Sequence, residues 1–317
     1  MELYFLGTGA GSPSKPRNVS SIALNLCDER AMWWMFDCGE ATQHQILYAP
    51  LKLSKLEFVF ITHVHGDHIF GLPGMLSSRS FQGGDSLLTI FGPTGVRQFV
   101  HAALEASQSH VKYPIQYITV EPGVIYEDEQ FVVSAAKLDH GVPSFGYRIQ
   151  EKDKVGALQV EKAVALGIPP GPAYGKLKAG ISVKNDEGRF VEPHEVIGTP
   201  IVGRAVTILG DTRKCQNAVD LAIGSDVLVH EATFAAEDKE LAHSFQHATT
   251  IEAAETAKEA GVKRLLLTHI SARYQGEGEH QLVREAKTVF SNVAIAHDHE
   301  RFEIARRETM TFNEPLN

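Results

Sequence analysis

The chain has 317 residues, 43% of them hydrophobic, and a formal net charge of −9. This length suits one large domain or two modest ones, with a sizeable core. The negative charge argues against a surface that is basic throughout, as in many nucleic-acid-binding proteins, although a local basic patch is compatible with it.

No uninterrupted apolar run approaches the roughly 18 residues that a membrane-spanning helix needs. The first residues also lack the basic start and apolar core of a signal peptide. The three cysteines are odd in number and form no CxxC pair, which favours a reducing compartment. We therefore expect a soluble, cytoplasmic protein that does not contact membranes.

Short apolar runs alternate with helical patterns in both halves of the chain. Strands are predicted at residues 3–6, 19–26, 31–36, 56–61, 87–91, 115–120, 131–138, 205–209, 227–229, 265–267 and 293–296. Helices are predicted at 40–48, with Asp37 as its cap, and at 69–80, 95–107, 159–166, 216–223, 249–260 and 281–290. This alternation predicts sheets covered by helices, as an αββα sandwich or a doubly wound sheet.

The most informative motif is an HxHxDH sequence formed by His63, His65, Asp67 and His68, directly after the predicted strand 56–61. His63 and His65 would point to nearly opposite sides of a helix, but they face the same way on an extended segment. The side chains of the adjacent residues Asp67 and His68 point in different directions, so they could bind a second ion beside the first. One carboxylate among imidazoles favours Zn²⁺ or a similar metal over Ca²⁺ or Mg²⁺. The alternative is a chance cluster on a polar turn.

Three more predicted strands run into a potential ligand, namely His140, Asp211 and His269. In α/β sheets, ligands bind beyond the carboxyl ends of strands. A single histidine after a strand is more often structural, but four such strand ends together predict a metal site.

Residues 151–195 interrupt the alternation with many glycines and prolines, which cannot continue a helix or a central strand. Residues 162–185 contain four lysines and no acidic residue. A long insertion of one charge sign is more often functional or mobile than part of the core, although a neutral surface excursion is the alternative.

Taken together, these motifs resemble the tRNase Z (short form) branch of the metallo-β-lactamase superfamily along nearly the whole chain. Beyond the ligands, the resemblance rests on Gly7-Thr8-Gly9, Pro13-Ser14-Lys15-Pro16-Arg17-Asn18, His230-Glu231-Ala232-Thr233, His247-Ala248-Thr249, His269-Ile270-Ser271-Ala272-Arg273-Tyr274 and the Gly/Pro segment around Tyr174-Gly175-Lys176. Ala248 departs from the pattern, because relatives usually carry serine there. The resemblance implies one metallo-β-lactamase αββα domain over residues 1–317, with a flexible basic arm inserted at 151–195.

The resemblance also implies two Zn²⁺ ions per subunit, with Mn²⁺ as the alternative metal. One ion would be held by His63, His65 and His140, and the other by Asp67, His68 and His269, with Asp211 bridging the two. Such a site has a net positive charge and provides a hydroxide nucleophile at neutral pH, which favours phosphodiester hydrolysis.

Three residues are expected to be catalytic. The resemblance implies that His247 is the general acid, because this branch places a non-ligand histidine there and imidazole titrates near neutrality; a surface histidine before a helix is the alternative. Glu231 would orient His247, and Asp67 would accept a hydrogen bond from the bridging hydroxide.

Basic residues are the candidates for RNA binding. Arg273 could hold a phosphate bidentately, or it could form a structural salt bridge. Lys15 and Arg17 lie on the loop after the first strand, where a solvated basic turn is an equal alternative. In the arm, the candidates are Lys162, Lys176, Lys178 and Lys184.

These expectations describe a homodimeric endoribonuclease that removes the 3′ trailer from precursor tRNA, with each arm holding tRNA over the partner's site. One rival is a small-molecule hydrolase of the same superfamily that cuts a thioester, a lactam or a cyclic phosphodiester. Another is a non-catalytic RNA-binding protein on a decayed scaffold, which the complete set of seven candidate ligands disfavours.

Overall fold

The computed structural model describes residues 1–306, whose longer strands form two seven-stranded sheets. The strands are β1 Glu2–Gly7, β2 Ser21–Leu26, β3 Met32–Phe36, β4 Leu56–Phe60, β5 Leu88–Gly92, β6 Ile115–Thr119, β7 Gly123–Glu127, β8 Phe131–Lys137, β9 Phe145–Glu151, β10 Val183–Lys184, β11 Phe190–Val191, β12 Ala205–Leu209, β13 Val227–Glu231, β14 Arg264–Thr268, β15 Val293–Ile295 and β16 Arg301–Glu303. The helices are α1 Cys27–Arg30, α2 Thr42–Gln45, α3 Gly66–Ile69, α4 Leu72–Phe81, α5 Val96–Ala106, α6 Val160–Ala165, α7 Pro172–Lys178, α8 Pro193–Val196, α9 Gln216–Ala222, α10 Lys239–Ser244, α11 Thr250–Glu259 and α12 Glu277–Val289.

The two sheets have the same plan, with four parallel strands between one edge and the centre and antiparallel strands toward the other edge. The first has the order β16-β1-β2-β3-β4-β5-β6, and the second has the order β15-β14-β13-β12-β9-β8-β7. β3 to β6 are parallel neighbours, as are β12 to β15. Parallel strands covered on both faces are apolar throughout rather than alternating, and β5, β12 and β13 are buried at every position.

The sheets pack face to face through an aromatic core. The Trp34 and Phe131 rings lie 5.3 Å apart across the interface, as do those of Phe60 and Tyr147. A second core lies between the first sheet and α4 and α5, and a third between the second sheet and α9, α11 and α12. The order of layers is therefore helix, sheet, sheet, helix. The predicted αββα sandwich is confirmed, and the doubly wound alternative is wrong.

Segment 151–204 forms a second compact unit together with Arg306, and the predicted insertion 151–195 lies within it. It contains α6, α7, α8 and the hairpin β10–β11 around a small apolar core. The prediction that its Gly/Pro stretch is not helical is wrong for α7. Pro172 begins α7, where a missing N–H costs nothing because the first helical N–H groups have no partner within the helix.

Two other differences concern local structure. Asp37 does not cap the predicted helix 40–48, which forms as α2, preceded by Ala41, and a following 3₁₀ turn at Ile46–Tyr48. Strands β7, β9 and β16 and helix α10 are among the elements that were not predicted. The last part of the predicted domain, 307–317, lies outside the described residues. No helix in residues 1–306 is long and apolar enough to cross a membrane.

Candidate metal centre

The seven predicted ligands lie together where β4, β8, β12 and β14 end. They form two groups, within each of which the ligand atoms lie within 4.8 Å of one another: His63, His65 and His140, and Asp67, His68, Asp211 and His269. Asp211 lies next to both groups, since its Oδ2 is 3.6 Å from Nε2 of His63 and 3.4 Å from Nε2 of His68.

A buried carboxylate, Asp37, orients two of the imidazoles. It accepts hydrogen bonds from Nδ1 of His68 at 2.7 Å and from the Thr62 hydroxyl at 2.8 Å. Because the Thr62 hydrogen points to Asp37, the Thr62 oxygen is left to accept a bond from Nδ1 of His63, 3.0 Å away. Both histidines therefore hold a proton on Nδ1 and direct Nε2 into the centre. Such outer partners fix the tautomer of metal-binding histidines.

Glu231 does the same on the other side of the centre. Its Oε2 accepts a hydrogen bond from the Thr233 hydroxyl at 2.7 Å, and the Thr233 oxygen is 2.8 Å from Nδ1 of His269. Its Oε1 accepts bonds from Nδ1 of His247 at 2.8 Å and from the backbone N–H of Thr212 at 2.9 Å. One fully buried carboxylate thus positions a candidate ligand and the candidate general acid.

The remaining two histidines complete the first group. Nδ1 of His140 donates to the backbone carbonyl of Gln246 at 2.9 Å, which leaves its Nε2 toward the centre. His65 presents Nδ1, which lies 3.1 Å from Nε2 of His63 and 3.3 Å from Nε2 of His140. Three lone-pair-bearing nitrogens so close together are the arrangement that a cation requires.

Metal binding needs neutral imidazole and ionised carboxylate. Burial would lower the pKa of His68, but the charges of Asp211 and Asp37 outweigh it and raise that pKa well above its usual value, so a cation bound there would displace a proton from Nε2. Burial lowers the pKa of His63 well below its usual value, with help from the neighbouring His68. Burial alone would raise the pKa of Asp211, but the charges of His269 and His68 outweigh it and hold that pKa well below its usual value. Asp67 behaves similarly, because its contacts with His269 and His68 outweigh burial and hold its pKa below its usual value.

One buried atom tests whether the residues fit a metal ion. Nε2 of His68 is buried without a hydrogen-bond partner in the described structure. It faces carboxylate oxygens of Asp67 and Asp211 at 3.5 and 3.4 Å. A buried nitrogen that faces two carboxylates needs a positive charge between them, either a proton or a metal cation. The nitrogen-rich ligand set with two carboxylates fits zinc, or manganese as an alternative.

Strained backbone accompanies the site. Asp37, Gln246 and His269 have left-handed φ values of 58°, 62° and 56°. Non-glycine residues seldom adopt this conformation, and such strain concentrates at functional sites where the surroundings enforce it. Here it directs the Asp37 carboxylate and the Gln246 carbonyl toward the histidines and turns His269 away from its strand.

The predicted RNA-binding residues of the first unit differ in their surroundings. Lys15 is exposed. Arg17 is only 4% exposed, and its guanidinium donates to Thr8, to the carbonyl of Ala296 and to Glu279 at 2.6 to 2.8 Å. The alternative that Arg17 lies on a solvated basic turn is wrong, because its hydrogen bonds attach the loop to the fold.

Arg273 has the surroundings of a structural salt bridge, which was the alternative to phosphate binding. It lies 3.7 Å from Asp238 and 5.5 Å from the ring centre of Phe234. Its side chain is still about half exposed. Ala248, the departure from the family pattern, is completely buried.

Sequence reasoning missed several residues of the centre. The roles of Asp37, Thr62 and Thr233 were not predicted, although Asp37 follows a strand as the ligands do. Phe234 and Phe245 line a cavity of about 280 Å³ together with five of the site residues: His65, Asp67, Asp211, His247 and His269. The backbone N–H of Gly11 also donates to Asp67 at 2.8 Å, which brings the loop after β1 to the metal centre.

The chain is similar in sequence to known proteins. The chain is 55% identical to ribonuclease Z of Geobacillus kaustophilus over 306 residues, which are 96% of this chain and 100% of that protein. It is 54% identical to ribonuclease Z of Listeria monocytogenes over 304 residues, covering 96% and 99% of the two chains. A family model described as "Anti-Pycsar protein Apyc1" matches residues 1–151.

Solved structures give the same result. The crystal structure of human tRNase Z, short form, superposes with a TM-score of 0.67 at 30% identity and covers 96% of this chain and 100% of that one. The metallo-β-lactamase fold protein YhfI from Bacillus subtilis has a TM-score of 0.66 at 22% identity and covers 95% and 98% of the two chains. The αββα sandwich is therefore a metallo-β-lactamase fold.

The role of Asp37 can be tested by zinc affinity. In an Asp37→Ala variant, His68 and Thr62 lose their acceptor, and His68 can take the wrong tautomer or rotate. We expect zinc affinity to fall about 10- to 100-fold, as measured by competition with a chromophoric chelator. The control is Asp28→Ala, which removes an exposed carboxylate and should leave affinity unchanged. Wild-type affinity in a folded Asp37→Ala protein would contradict the role of Asp37.

Proposed function

The chain belongs to the ribonuclease Z family, whose members are tRNA-processing nucleases, and from that premise we propose that it is a zinc-dependent endoribonuclease that removes the 3′ trailer from precursor tRNA. The cut leaves a 3′-hydroxyl on the tRNA and a 5′-phosphate on the trailer. The observation that carries the proposal is the meeting of seven candidate ligands beside a histidine–glutamate pair.

We assign two zinc ions to each subunit, with manganese as the alternative. His63, His65 and His140 would hold one ion, and Asp67, His68 and His269 the other. Asp211 is adjacent to both groups and would bridge them. Two such ions would lower the pKa of a water molecule and offset the negative charge of a phosphodiester.

His247 supplies the proton that the leaving oxygen needs. Its Nδ1–H is bonded to Glu231, so the proton on Nε2 is the one available to the cavity that His247 lines. Burial would lower the pKa of His247, but the charge and hydrogen bond of Glu231 outweigh it and raise that pKa to about 9. The ring is therefore protonated at neutral pH, as a general acid must be.

Asp67 positions the attacking water molecule. Its carboxylate lines the same cavity as His247, and it is itself held by a hydrogen bond from the Gly11 N–H at 2.8 Å. An ionised carboxylate held in place can accept a hydrogen bond from water and set its direction of approach.

The inserted segment provides a basic RNA-binding surface. Lys162, Lys176, Lys178 and Lys184 are all exposed, and none pairs with a carboxylate within the described residues. Contacts from such lysines to phosphates orient RNA without selecting its sequence. Residues 162–185 thus bring local positive charge to a chain whose net charge is −9.

We propose that the protein acts as a homodimer, in which the arm of one subunit holds tRNA over the site of its partner. Large apolar side chains are exposed at and beside α2 and α4, namely Leu47, Tyr48, Phe70 and Phe81. Exposed apolar surface of this kind supports self-association.

The three cysteines are unpaired, which supports a reducing, cytoplasmic location.

Cleavage of a 3′-extended tRNA tests the function directly. We expect a single cut after the discriminator nucleotide, abolished by a chelator and restored by zinc or manganese, with the ends mapped by gel electrophoresis. Hydrolysis of a cyclic mononucleotide or a thioester, without cleavage of the extended tRNA under the same conditions, would instead favour the small-molecule hydrolase.

The general acid is tested by changing the leaving group. A ribose 3′-oxygen needs a proton, whereas p-nitrophenolate leaves without one. We expect His247→Ala to lower kcat on extended tRNA by about 10²- to 10⁴-fold and to change hydrolysis of bis(p-nitrophenyl) phosphate far less. His280→Ala, which alters an exposed histidine, is the control. Equal losses on both substrates would rule out proton donation by His247.

The arm is tested by replacing its four lysines with glutamine. We expect kcat/KM on extended tRNA to fall and the salt dependence of tRNA binding to weaken by about one unit of slope per lost phosphate contact, whereas hydrolysis of a small diester stays unchanged. The matched control replaces four exposed lysines of the other unit, namely Lys52, Lys112, Lys258 and Lys287. An unchanged salt slope, or equal losses on both substrates, would contradict the arm assignment.

Mixing two defective proteins tests whether the arm acts on the partner. The arm variant retains its metal ligands, and an Asp67→Ala protein retains its arm. Mixed dimers should recover tRNA cleavage if the arm of one subunit serves the site of the other. Mixed dimers that form but remain inactive would place arm and site in the same subunit.

A further inference from the structure

An exposed phenyl ring stands at the rim of the metal centre. Phe245 is 61% exposed, yet it lines the same cavity as Asp67 and His247. Single exposed apolar side chains are common on proteins and need no explanation by themselves. The surroundings of this ring set it apart, because they hold it in place and connect it to the candidate catalytic residues.

The ring is supported by a second aromatic side chain. Phe234, which is only 6% exposed, stacks nearly parallel to Phe245, with ring centres 6.4 Å apart and an angle of 11° between the planes. Arg273 is in cation–π contact with Phe234. The exposed ring therefore has a buried aromatic neighbour nearly parallel to it, which reduces the side-chain entropy to be lost when a flat ligand binds.

The backbone around Phe245 is tied to the metal centre. Phe245 follows α10 and precedes Gln246, whose carbonyl accepts the hydrogen bond from His140. His247 comes next and is bonded to Glu231. The aromatic ring and the candidate proton donor are thus two residues apart on one anchored segment.

We propose that Phe245 stacks on the nucleobase of the nucleotide immediately 5′ to the scissile phosphate. This inference rests on the proposed function. His247 gives its proton to the departing 3′-oxygen, which belongs to that nucleotide, so its base is the one that a neighbouring ring can reach. Stacking on an aromatic side chain tolerates all four bases, because each has a π face. Phe245 is accordingly a substrate-binding residue that positions the ribose whose oxygen departs.

The test combines variants of Phe245 with an abasic substrate. Extended tRNA is prepared with its normal nucleotide, or with an abasic ribose, directly 5′ to the cut, and kcat/KM is measured for each. Removing the base should slow the wild-type protein by about 5- to 150-fold. Phe245→Ala should slow cleavage of the normal substrate by a similar factor and show no further loss with the abasic one.

Two other substitutions separate stacking from apolar contact. Phe245→Trp should retain most of the activity, whereas Phe245→Leu, which keeps apolar volume without a π face, should behave like Phe245→Ala. An abasic ribose directly 3′ to the cut is the matched substrate control, and its effect should multiply with that of Phe245→Ala. Zinc content and melting temperature verify that each variant is folded and loaded.

The possible outcomes distinguish this inference from the proposed function. If the wild-type protein cuts extended tRNA but is indifferent to the abasic 5′ nucleotide, stacking is wrong and the nuclease assignment stands. Stacking is equally wrong if the 5′ abasic and Phe245→Ala losses multiply, or if Phe245→Leu is as active as wild type. If the loaded wild-type protein does not cut extended tRNA at all, the nuclease assignment fails, and the stacking proposal with it.

Discussion

The metal centre depends on hydrogen bonds that hold the protons of its histidines on the outer side of each ring. Four of the five candidate histidine ligands have Nδ1 engaged by a hydrogen-bond partner, namely His63, His68, His140 and His269. Their Nε2 atoms are thereby directed to one place, where they can bind a cation. An imidazole free to change tautomer or rotate would lose this directionality, and with it the affinity for a cation.

Two buried carboxylates, Asp37 and Glu231, fix the orientation and the tautomer of most of these histidines. Each accepts a bond from a threonine hydroxyl and from an imidazole, and the threonine oxygen in turn accepts a bond from a second imidazole. The first carboxylate lies at the end of β3 and the second at the end of β13, one from each sheet. The sandwich therefore matters for function because it brings two such anchoring systems to the same edge. The residues Asp37, Gln246 and His269 have strained, left-handed backbone. The well-packed core compensates for this strain, because the free-energy cost of three such residues is small beside the stabilisation from burying one face of each sheet.

The alternation of strands and helices left an αββα sandwich and a doubly wound sheet open, and the resemblance selected the sandwich. The candidate ligands could be proposed from sequence because residues that follow strands occupy short motifs that can be recognised locally. The sequence was insufficient for Asp37, Thr62 and Thr233, whose roles arise from contacts between segments far apart in the chain. Arg17 shows the same limit, since its position within a basic turn suggested solvent exposure, whereas tertiary contacts with Thr8 and Glu279 bury it. Helix α7 shows that a stretch rich in glycine and proline can mark the beginning of a helix as well as prevent one from forming.

The most direct test of this account is to locate and count the metal ions in the zinc-saturated protein. Zinc content per subunit and anomalous X-ray scattering at the zinc edge give both answers. The account predicts two ions, one among His63, His65 and His140 and one among Asp67, His68 and His269, with a carboxylate of Asp211 in contact with both. A single ion at saturation, or an ion bound elsewhere while these side chains retain the arrangement described above, would contradict it.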